Sequence, residues 1–137
     1  MSLVRSNPFE RGDWHGKIWS IDNNISLSDF TIDDLDKIII QGETGAGWDG
    51  YCAGIALLKD GRYVSWESSW GPTGHGFGAD AYGGEAEIYV ASTLLEAMKF
   101  GLTPSSRDLC WNSKDNPKGE DLEKVYILCK LSDDKGL

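Results

Sequence analysis

The sequence predicts a single α+β domain over residues 1–137, in which an antiparallel sheet of four or five strands carries one main helix, over about 93–101, and a second short helix packed on one face. Two observations support this fold class. Short runs of β-branched and aromatic residues recur between turn signals, of which the Asp-Gly pair at 60–61 is the clearest. Further along the chain, a capping box at Thr93 precedes an apolar stripe with helical spacing.

Two short strands are predicted before the glycine-rich part of the chain. Residues 17–21 are the weaker candidate, and residues 37–41 form a β-branched run that a helical turn near Thr31 introduces. The glycines over 42–47 follow this run, but they lack Gly-Lys-Ser/Thr and lead into no helix that could hold a phosphate. We therefore interpret them as a hairpin or bulge connection.

The central hairpin is predicted from the Asp-Gly pair at 60–61, which is typical of a two-residue type I′ turn. Such a turn places Ile55 opposite Trp66, and it places Glu67 opposite Gly54. The predicted core face of the hairpin consists of Tyr51, Ala53, Ile55, Leu57, Val64, Trp66, Ser68 and Trp70. The other face is expected to be smaller, more polar and partly open.

The second half of the chain contains the predicted helices. Residues 86–91 alternate in character and predict a strand, and the main helix that follows is expected to stop at Gly101. The Thr-Pro pair at 103–104 begins the second short helix. Residues 112–120 are interpreted as an exposed connector. Residues 125–131 predict the last strand, with a helix as the alternative.

Composition limits the classes of function. Thirteen basic and 22 acidic side chains give a net charge of −9, which disfavours direct binding to nucleic acid or to an anionic membrane. No segment resembles a signal peptide or a membrane span, so a cytoplasmic location is expected. Cys52, Cys110 and Cys129 lack the paired spacing of a zinc site or a disulfide framework. The sequence therefore predicts no cofactor and no metal.

The most distinctive segment is the glycine-rich stretch that follows the central hairpin. Twelve of the 17 glycines lie between Gly42 and Gly84. Glycines that alternate with aromatic and polar residues are typical of loops that contact ligands. Exposed rings here would suit a protein partner, a peptide or a glycan, whereas rings folded inward would only close the end of the sheet. The candidate binding residues are Trp70, His75, Phe77, Asp80 and Tyr82.

No complete catalytic set is present, and three residues are the candidates for one. His75, between two glycines, could combine with Asp80 and Glu67 as an acid–base pair or as a metal site with two carboxylates and one histidine. Alternatively, His75 is a polar loop residue and Asp80 caps a turn. His15 would reach His75 only if the fold brought the N-terminal segment to the loop. Cys52 is expected to be a buried hydrophobe instead of a nucleophile.

Several of these runs resemble a known group of proteins. Asp60-Gly-Arg-Tyr, Trp70-Gly-Pro-Thr-Gly-His-Gly-Phe, Asp80-Ala-Tyr-Gly-Gly and Phe100-Gly-Leu are similar to runs in small uncharacterised proteins encoded by bacteriophages and prophages. The similarity covers about residues 50–109. It implies no catalytic activity and assigns no catalytic residue. What it implies is a context, that of a small soluble accessory protein inside a bacterial cell.

Three hypotheses of function follow. The main hypothesis is a non-enzymatic protein-binding or regulatory module that uses the loop over 71–84. The first alternative is a small hydrolase or metal-dependent enzyme built on His75, Asp80 and Glu67. The second alternative is an acidic mimic of nucleic acid, although the carboxylates are dispersed along the chain and do not follow the spacing of phosphates.

Overall fold

The computed structural model describes residues 15–20, 32–46, 49–70, 85–114 and 116–134. The strands are β1 (His15–Ser20), β2 (Leu35–Ala46), β3 (Asp49–Leu58), β4 (Tyr63–Trp70) and β5 (Glu85–Ala91). The helices are α1 (Leu94–Gly101), α2 (Pro104–Trp111) and α3 (Glu120–Asp134), and a short 3-10 turn, Ile32–Asp34, precedes β2. The predicted α+β fold class is confirmed.

The described strands form one sheet in the order β1-β5-β4-β3-β2. Strands β2 to β5 pair antiparallel with one another, whereas β1 pairs with β5 in parallel. The strand candidate over 17–21 is thus confirmed as β1. The prediction for 42–47 is wrong over its first five residues, because Gly42 to Ala46 continue β2 and pair with β3. Gly42 also lets α2 approach, since a Cβ there would lie 2.8 Å from the carbonyl oxygen of Leu109.

The three helices form a layer on one face of the sheet. Helix α1 packs on β4 and β5, α2 packs on β2 and β3, and α3 packs on α1 and α2. Between this helical layer and the sheet lies a core that includes Ile40, Ile55, Met98, Cys110 and Cys129. A second buried cluster occupies the opposite face of the sheet and consists of Cys52, Ala56, Leu58, Val64, Trp66, Ile88 and Val90. The sheet is therefore buried on both faces.

Local capping explains why α1 and α2 form where the sequence predicts them. The Thr93 hydroxyl accepts a hydrogen bond from the Glu96 backbone N–H at 3.2 Å, and the Thr103 hydroxyl accepts one from Ser106 N–H at 3.3 Å. Helix α1 ends at Gly101, as predicted, but not through a left-handed cap. Glycine is needed there because a Cβ would lie 1.7 Å from Ser65 Oγ, so this residue lets α1 approach β4.

The predicted register of the central hairpin is wrong by one residue. Leu58 N–H donates to the carbonyl of Arg62 at 2.7 Å, and Gly61 has a φ of 93°, so the connection is a three-residue loop with a left-handed glycine at its end. Trp66 consequently lies opposite Gly54 and not opposite Ile55. A Cβ at Gly54 would lie 2.4 Å from the Trp66 ring, so the missing side chain makes room for the indole.

This slip moves half of the predicted core face to the other side of the sheet. Val64, Trp66 and Ser68 share their face with Cys52, whereas Ile55 faces the helical layer. Glu67 accordingly lies opposite Ala53 and on the helix-covered face, and the prediction that it faces Gly54 is wrong. The face expected to be open is fully buried around Trp66.

The predicted last strand over 125–131 is wrong, because these residues belong to α3. The buried side chains of α3 are Leu122, Tyr126 and Cys129, whose spacings of four and three residues follow a helical period. The apolar run misled the prediction because Ile127 and Leu128 lie on the outer side of the helix instead of in the core. In a run this apolar, strand and helix cannot be separated by periodicity alone.

The connector between α2 and α3 contains one buried polar residue, which corrects the prediction that the whole connector is exposed. Asn116 Nδ2 donates to the carbonyls of Gln41 at 2.7 Å and Cys110 at 2.5 Å. Its Oδ1 accepts from Gln41 N–H at 2.9 Å. The side-chain amide thus pairs with the backbone of β2 along the outer edge of the sheet, as an additional strand residue would.

Candidate functional site

The sequence-predicted binding residues fall into two groups. His75, Phe77, Asp80 and Tyr82 lie outside the described residues. Trp70 is the last residue of β4, where the backbone is described and the side chain is not. The catalytic candidate Glu67 is fully described. Among the candidate binding and catalytic residues, it is the one whose side-chain contacts the structure gives.

The strand pairing places the ends of the predicted loop together. Ser69 of β4 pairs with Glu85 of β5, so the chain leaves and rejoins the sheet on adjacent strands. Gly50 pairs with Trp70, and Ala46 pairs with Asp49 across the start of β3. Two connections in the glycine-rich part of the chain, over 47–48 and 71–84, therefore emerge from one end of the sheet. We call it the glycine-rich end and define it by Ala46, Asp49, Trp70 and Glu85.

The N-terminal strand reaches this same end. The Cα of His15 is paired with that of Glu85, the residue that follows the loop. The backbone of the N-terminal strand thus lies next to the residue that follows the loop, which is what an approach of His15 to the loop requires. The parallel pairing of β1 with β5 brings His15 close to the end of the loop, although a long stretch of sequence separates them.

Glu67 is the centre of a hydrogen-bonded cluster beneath α2. Its Oε2 accepts from the hydroxyls of Tyr51 at 2.5 Å, Ser106 at 2.5 Å and Thr103 at 3.0 Å. Its Oε1 accepts from the Thr103 backbone N–H at 3.3 Å. The Tyr51 and Ser106 hydroxyls are also in hydrogen-bond contact with each other. We call these four residues the Glu67 cluster; it joins the β3–β4 hairpin to the first turn of α2.

The electrostatics of the Glu67 cluster suit a structural carboxylate. The first turn of a helix carries partial positive charge and unpaired N–H groups, so a carboxylate there is stabilised. Burial, together with the neighbouring Glu67 carboxylate, raises the pKa of Tyr51 above its ordinary value, so this phenol stays a proton donor. Ser106 is completely buried and cannot meet a substrate. The arrangement fastens α2 to the sheet.

A depression of about 260 Å³ lies beside the Glu67 cluster, between β5 and α1. Glu87 pairs directly with Glu67 across β4 and β5, so both carboxylates point to the helix-covered side. The rings of Tyr89 and Phe100, with centroids 6.4 Å apart, line the same depression. Within the described part of the chain, no group of three or more His, Cys, Asp or Glu side chains could hold a metal ion. The two glutamates alone do not make a metal site.

The cysteines are closed to nucleophilic chemistry. Cys52, Cys110 and Cys129 are all buried, and none of them forms a disulfide. Cys52 Sγ lies 3.0 Å from Ser68 Oγ, and both side chains are buried on the face of the sheet opposite the helices. Burial raises the pKa of Cys110 to about 12, so its thiol stays protonated at neutral pH. The expectation that Cys52 is a buried hydrophobe is confirmed.

Sequence reasoning missed the partners of Glu67 and the outer side of α3. Thr103 was recognisable as a helix cap, but its contact with Glu67 spans 36 residues and follows only from the packing of α2 on the hairpin. Tyr51 was assigned to the core face without a polar partner. The sequence predicts a strand at Ile127 and Leu128, and this prediction gives no sign that both residues are exposed on a helix.

Among the described helices, none is both long and apolar enough to cross a bilayer. Comparison of the chain with protein-family models, with curated proteins and with solved structures found no match. A proposal of function must therefore come from the geometry and from the sequence.

Proposed function

We propose that this protein is a non-enzymatic binding or regulatory module that engages a protein partner through the segment 71–84 at the glycine-rich end of the sheet. The observation that carries the proposal is the pairing of Ser69 with Glu85 and of Gly50 with Trp70. These pairs bring the strand ends that flank residues 47–48 and 71–84 together at one end of the sheet. Binding residues commonly lie on loops that such a scaffold positions.

The chemistry of the anchored segments supports a protein partner. Trp48 belongs to one connection, and Phe77 and Tyr82 belong to the other. Aromatic side chains provide much of the binding energy of protein interfaces because each buries a large area at a low entropic cost. The resemblance to phage and prophage proteins suggests that the partner is a host or phage protein inside a bacterial cell.

The enzymatic alternative is less well supported. It requires Glu67 to act on a metal or substrate together with His75 and Asp80. The Glu67 carboxylate already accepts hydrogen bonds from Tyr51, Thr103 and Ser106. A catalytic role would have to break the Glu67 cluster, which holds α2 on the sheet, and each bond to a charged group is worth about 1.5–3 kcal/mol.

The proposal is tested by affinity purification from bacterial lysate with the full chain as bait. Phe77→Ala combined with Tyr82→Ala should lower the recovery of the specific partner by at least about tenfold, since loss of two aromatic contacts costs about 2 kcal/mol or more each. Quantitative mass spectrometry measures the recovery. Phe100→Ala is the matched control, because this ring is 59% exposed but lies on α1. Equal recovery by the double variant and the wild type would refute the proposed surface.

A further inference from the structure

The outer side of α3 has an unusual composition. Leu122, Tyr126 and Cys129 form its buried side against the rest of the helical layer. The opposite side exposes three large aliphatic residues, which we call the α3 stripe: Ile127 is 46% exposed, Leu128 51% and Leu131 48%. At about 100° per residue these three positions occupy one continuous sector on adjacent turns, facing away from the core.

Packing among the described residues does not account for the α3 stripe. Single exposed apolar residues are normal on protein surfaces and need no explanation. Three neighbouring ones at the centre of the solvent side of a helix are different, because a surface helix ordinarily carries polar residues there. Each of these side chains leaves about half of its surface in water, so burial by a partner would be favoured by the hydrophobic effect.

The charges around the α3 stripe define what could cover it. The first turn of α3 is acidic, with Glu120, Asp121 and Glu123 all exposed. Lys124 is paired with Glu120 at 3.7 Å, and Lys130 lies 5.5 Å from the Tyr126 ring centroid. The outer side of α3 thus has more acidic than basic groups, in a chain whose net charge is −9. A complementary partner surface must be apolar and basic.

We propose that the α3 stripe is the docking site for a basic amphipathic helix of a partner protein. The apolar face of that helix would pack on Ile127, Leu128 and Leu131, as amphipathic helices pack with anchors at i, i+3, i+4 and i+7. Its Lys or Arg side chains would lie near Glu120 and Glu123. A second copy of this chain is a poorer occupant, because it would bring another nine negative charges to the contact. The inference is independent of the segment 71–84.

The probe for the test is a synthetic helical peptide of about 15 residues, with leucines at i, i+3, i+4 and i+7 and lysines elsewhere, carrying a fluorescent label. Fluorescence anisotropy with the full chain should show binding. The triple variant Ile127→Ser, Leu128→Ser and Leu131→Ser should weaken it at least about tenfold. Phe100→Ser, which removes an equally exposed apolar residue from α1, should leave the affinity unchanged. The variant with Phe77→Ala and Tyr82→Ala should also bind normally, which separates this surface from the loop.

A charge exchange tests the acidic part without touching the apolar part. Glu120→Lys combined with Glu123→Lys should weaken the leucine–lysine peptide and strengthen a matched peptide in which glutamate replaces every lysine. Circular dichroism at the assay temperature confirms that each variant is folded; the serine variants should melt at a lower temperature than the wild type, because about half of each replaced side chain is buried. Equal peptide affinity of the wild type and the triple variant would overturn the proposal. So would sedimentation showing a wild-type dimer that the triple variant abolishes, since a second copy would then cover the stripe.

Discussion

In globular proteins, apolar side chains are usually buried and polar ones exposed. The inner and outer sides of the helical layer depart from this rule in opposite ways. On the inner side, the polar residues Glu67 and Ser106 lie where apolar residues are expected. On the outer side, the α3 stripe is apolar where polar residues are expected. The inner exception is satisfied within the described part of the chain, because the Glu67 carboxylate accepts from Tyr51, Thr103 and Ser106. No contact among the described residues covers the outer exception in this way, and we propose that a partner does.

Arg107 extends the same comparison to the contact between α2 and α3. This residue is 5% exposed, and its guanidinium pairs with the Asp133 carboxylate while Nε donates to the Leu102 carbonyl at 3.3 Å. A buried charge is tolerated when it has an opposite charge and hydrogen bonds. The polar groups inside the helical layer therefore connect its elements to one another.

The largest expected effect comes from the two paired glutamates of β4 and β5. Glu67→Ala should lower the free energy of unfolding by about 3 kcal/mol, because it removes the acceptor of bonds from Tyr51, Thr103 and Ser106. Glu87→Ala is the matched control, since Glu87 lies directly opposite on the same face but is exposed. Its effect should stay within about 0.5 kcal/mol. Urea denaturation measures both values, and similar losses would show that the Glu67 cluster is not what fastens α2.

A second test compares Gly101, which packs against the sheet, with Gly119, which is exposed directly before α3. Gly101→Ser should cost about 2 kcal/mol, because a Cβ there would lie 1.7 Å from Ser65 Oγ and α1 would have to move away from β4. Gly119→Ser should be neutral or slightly stabilising, because no atom lies within 4 Å of its added Cβ and serine is a good cap for the helix that follows. Thermal unfolding measures both variants. An unchanged melting temperature for Gly101→Ser would mean that the helical layer packs more loosely than described.

The parts of this fold that the sequence predicts are those determined by local contacts. Helices α1 and α2 begin directly after Thr93 and Thr103, because each hydroxyl accepts a hydrogen bond from the backbone N–H three residues later. The sequence also predicts the hairpin at 60–61, but the predicted register is wrong by one residue. Two-residue and three-residue loops both accept Asp-Gly, and the choice depends on fitting Trp66 against Gly54 across the sheet.

The candidate site was less predictable for the same reason. Glu67 was recognised as a functional candidate from its residue type, yet its role follows from Ser106, which lies 39 residues away on a separate helix. The α3 stripe was hidden because an apolar run of seven residues at 125–131 is compatible with both strand and helix. In both cases the sequence does not tell which face of a helix or strand packs against which neighbour, because this depends on the tertiary structure.

The smallest expected effect concerns the tyrosine hydroxyls of the inner side, and its dependence on pH should appear only in the alkaline range. Burial and the hydrogen bond to Asp108 raise the pKa of Tyr126 to about 12, against about 10 for an unfolded chain. The folded protein therefore keeps a proton that the unfolded chain releases. The stability that this provides is complete below pH 10 and is lost as the pH rises towards 12.

Tyr126→Phe removes both the bond to Asp108 and the titration, so it should be less stable than the wild type by about 1 kcal/mol near neutral pH. The gap should close as the pH rises from 10 to 12, because only the wild type has this proton to lose. Tyr51→Phe should behave in the same direction, since burial and Glu67 raise the pKa of Tyr51 as well. Urea denaturation at intervals of pH, with tyrosinate absorbance as a direct titration, measures the gap. A gap that stays constant would mean that these hydroxyls are open to water, and the inner side would then lose its contrast with the outer one.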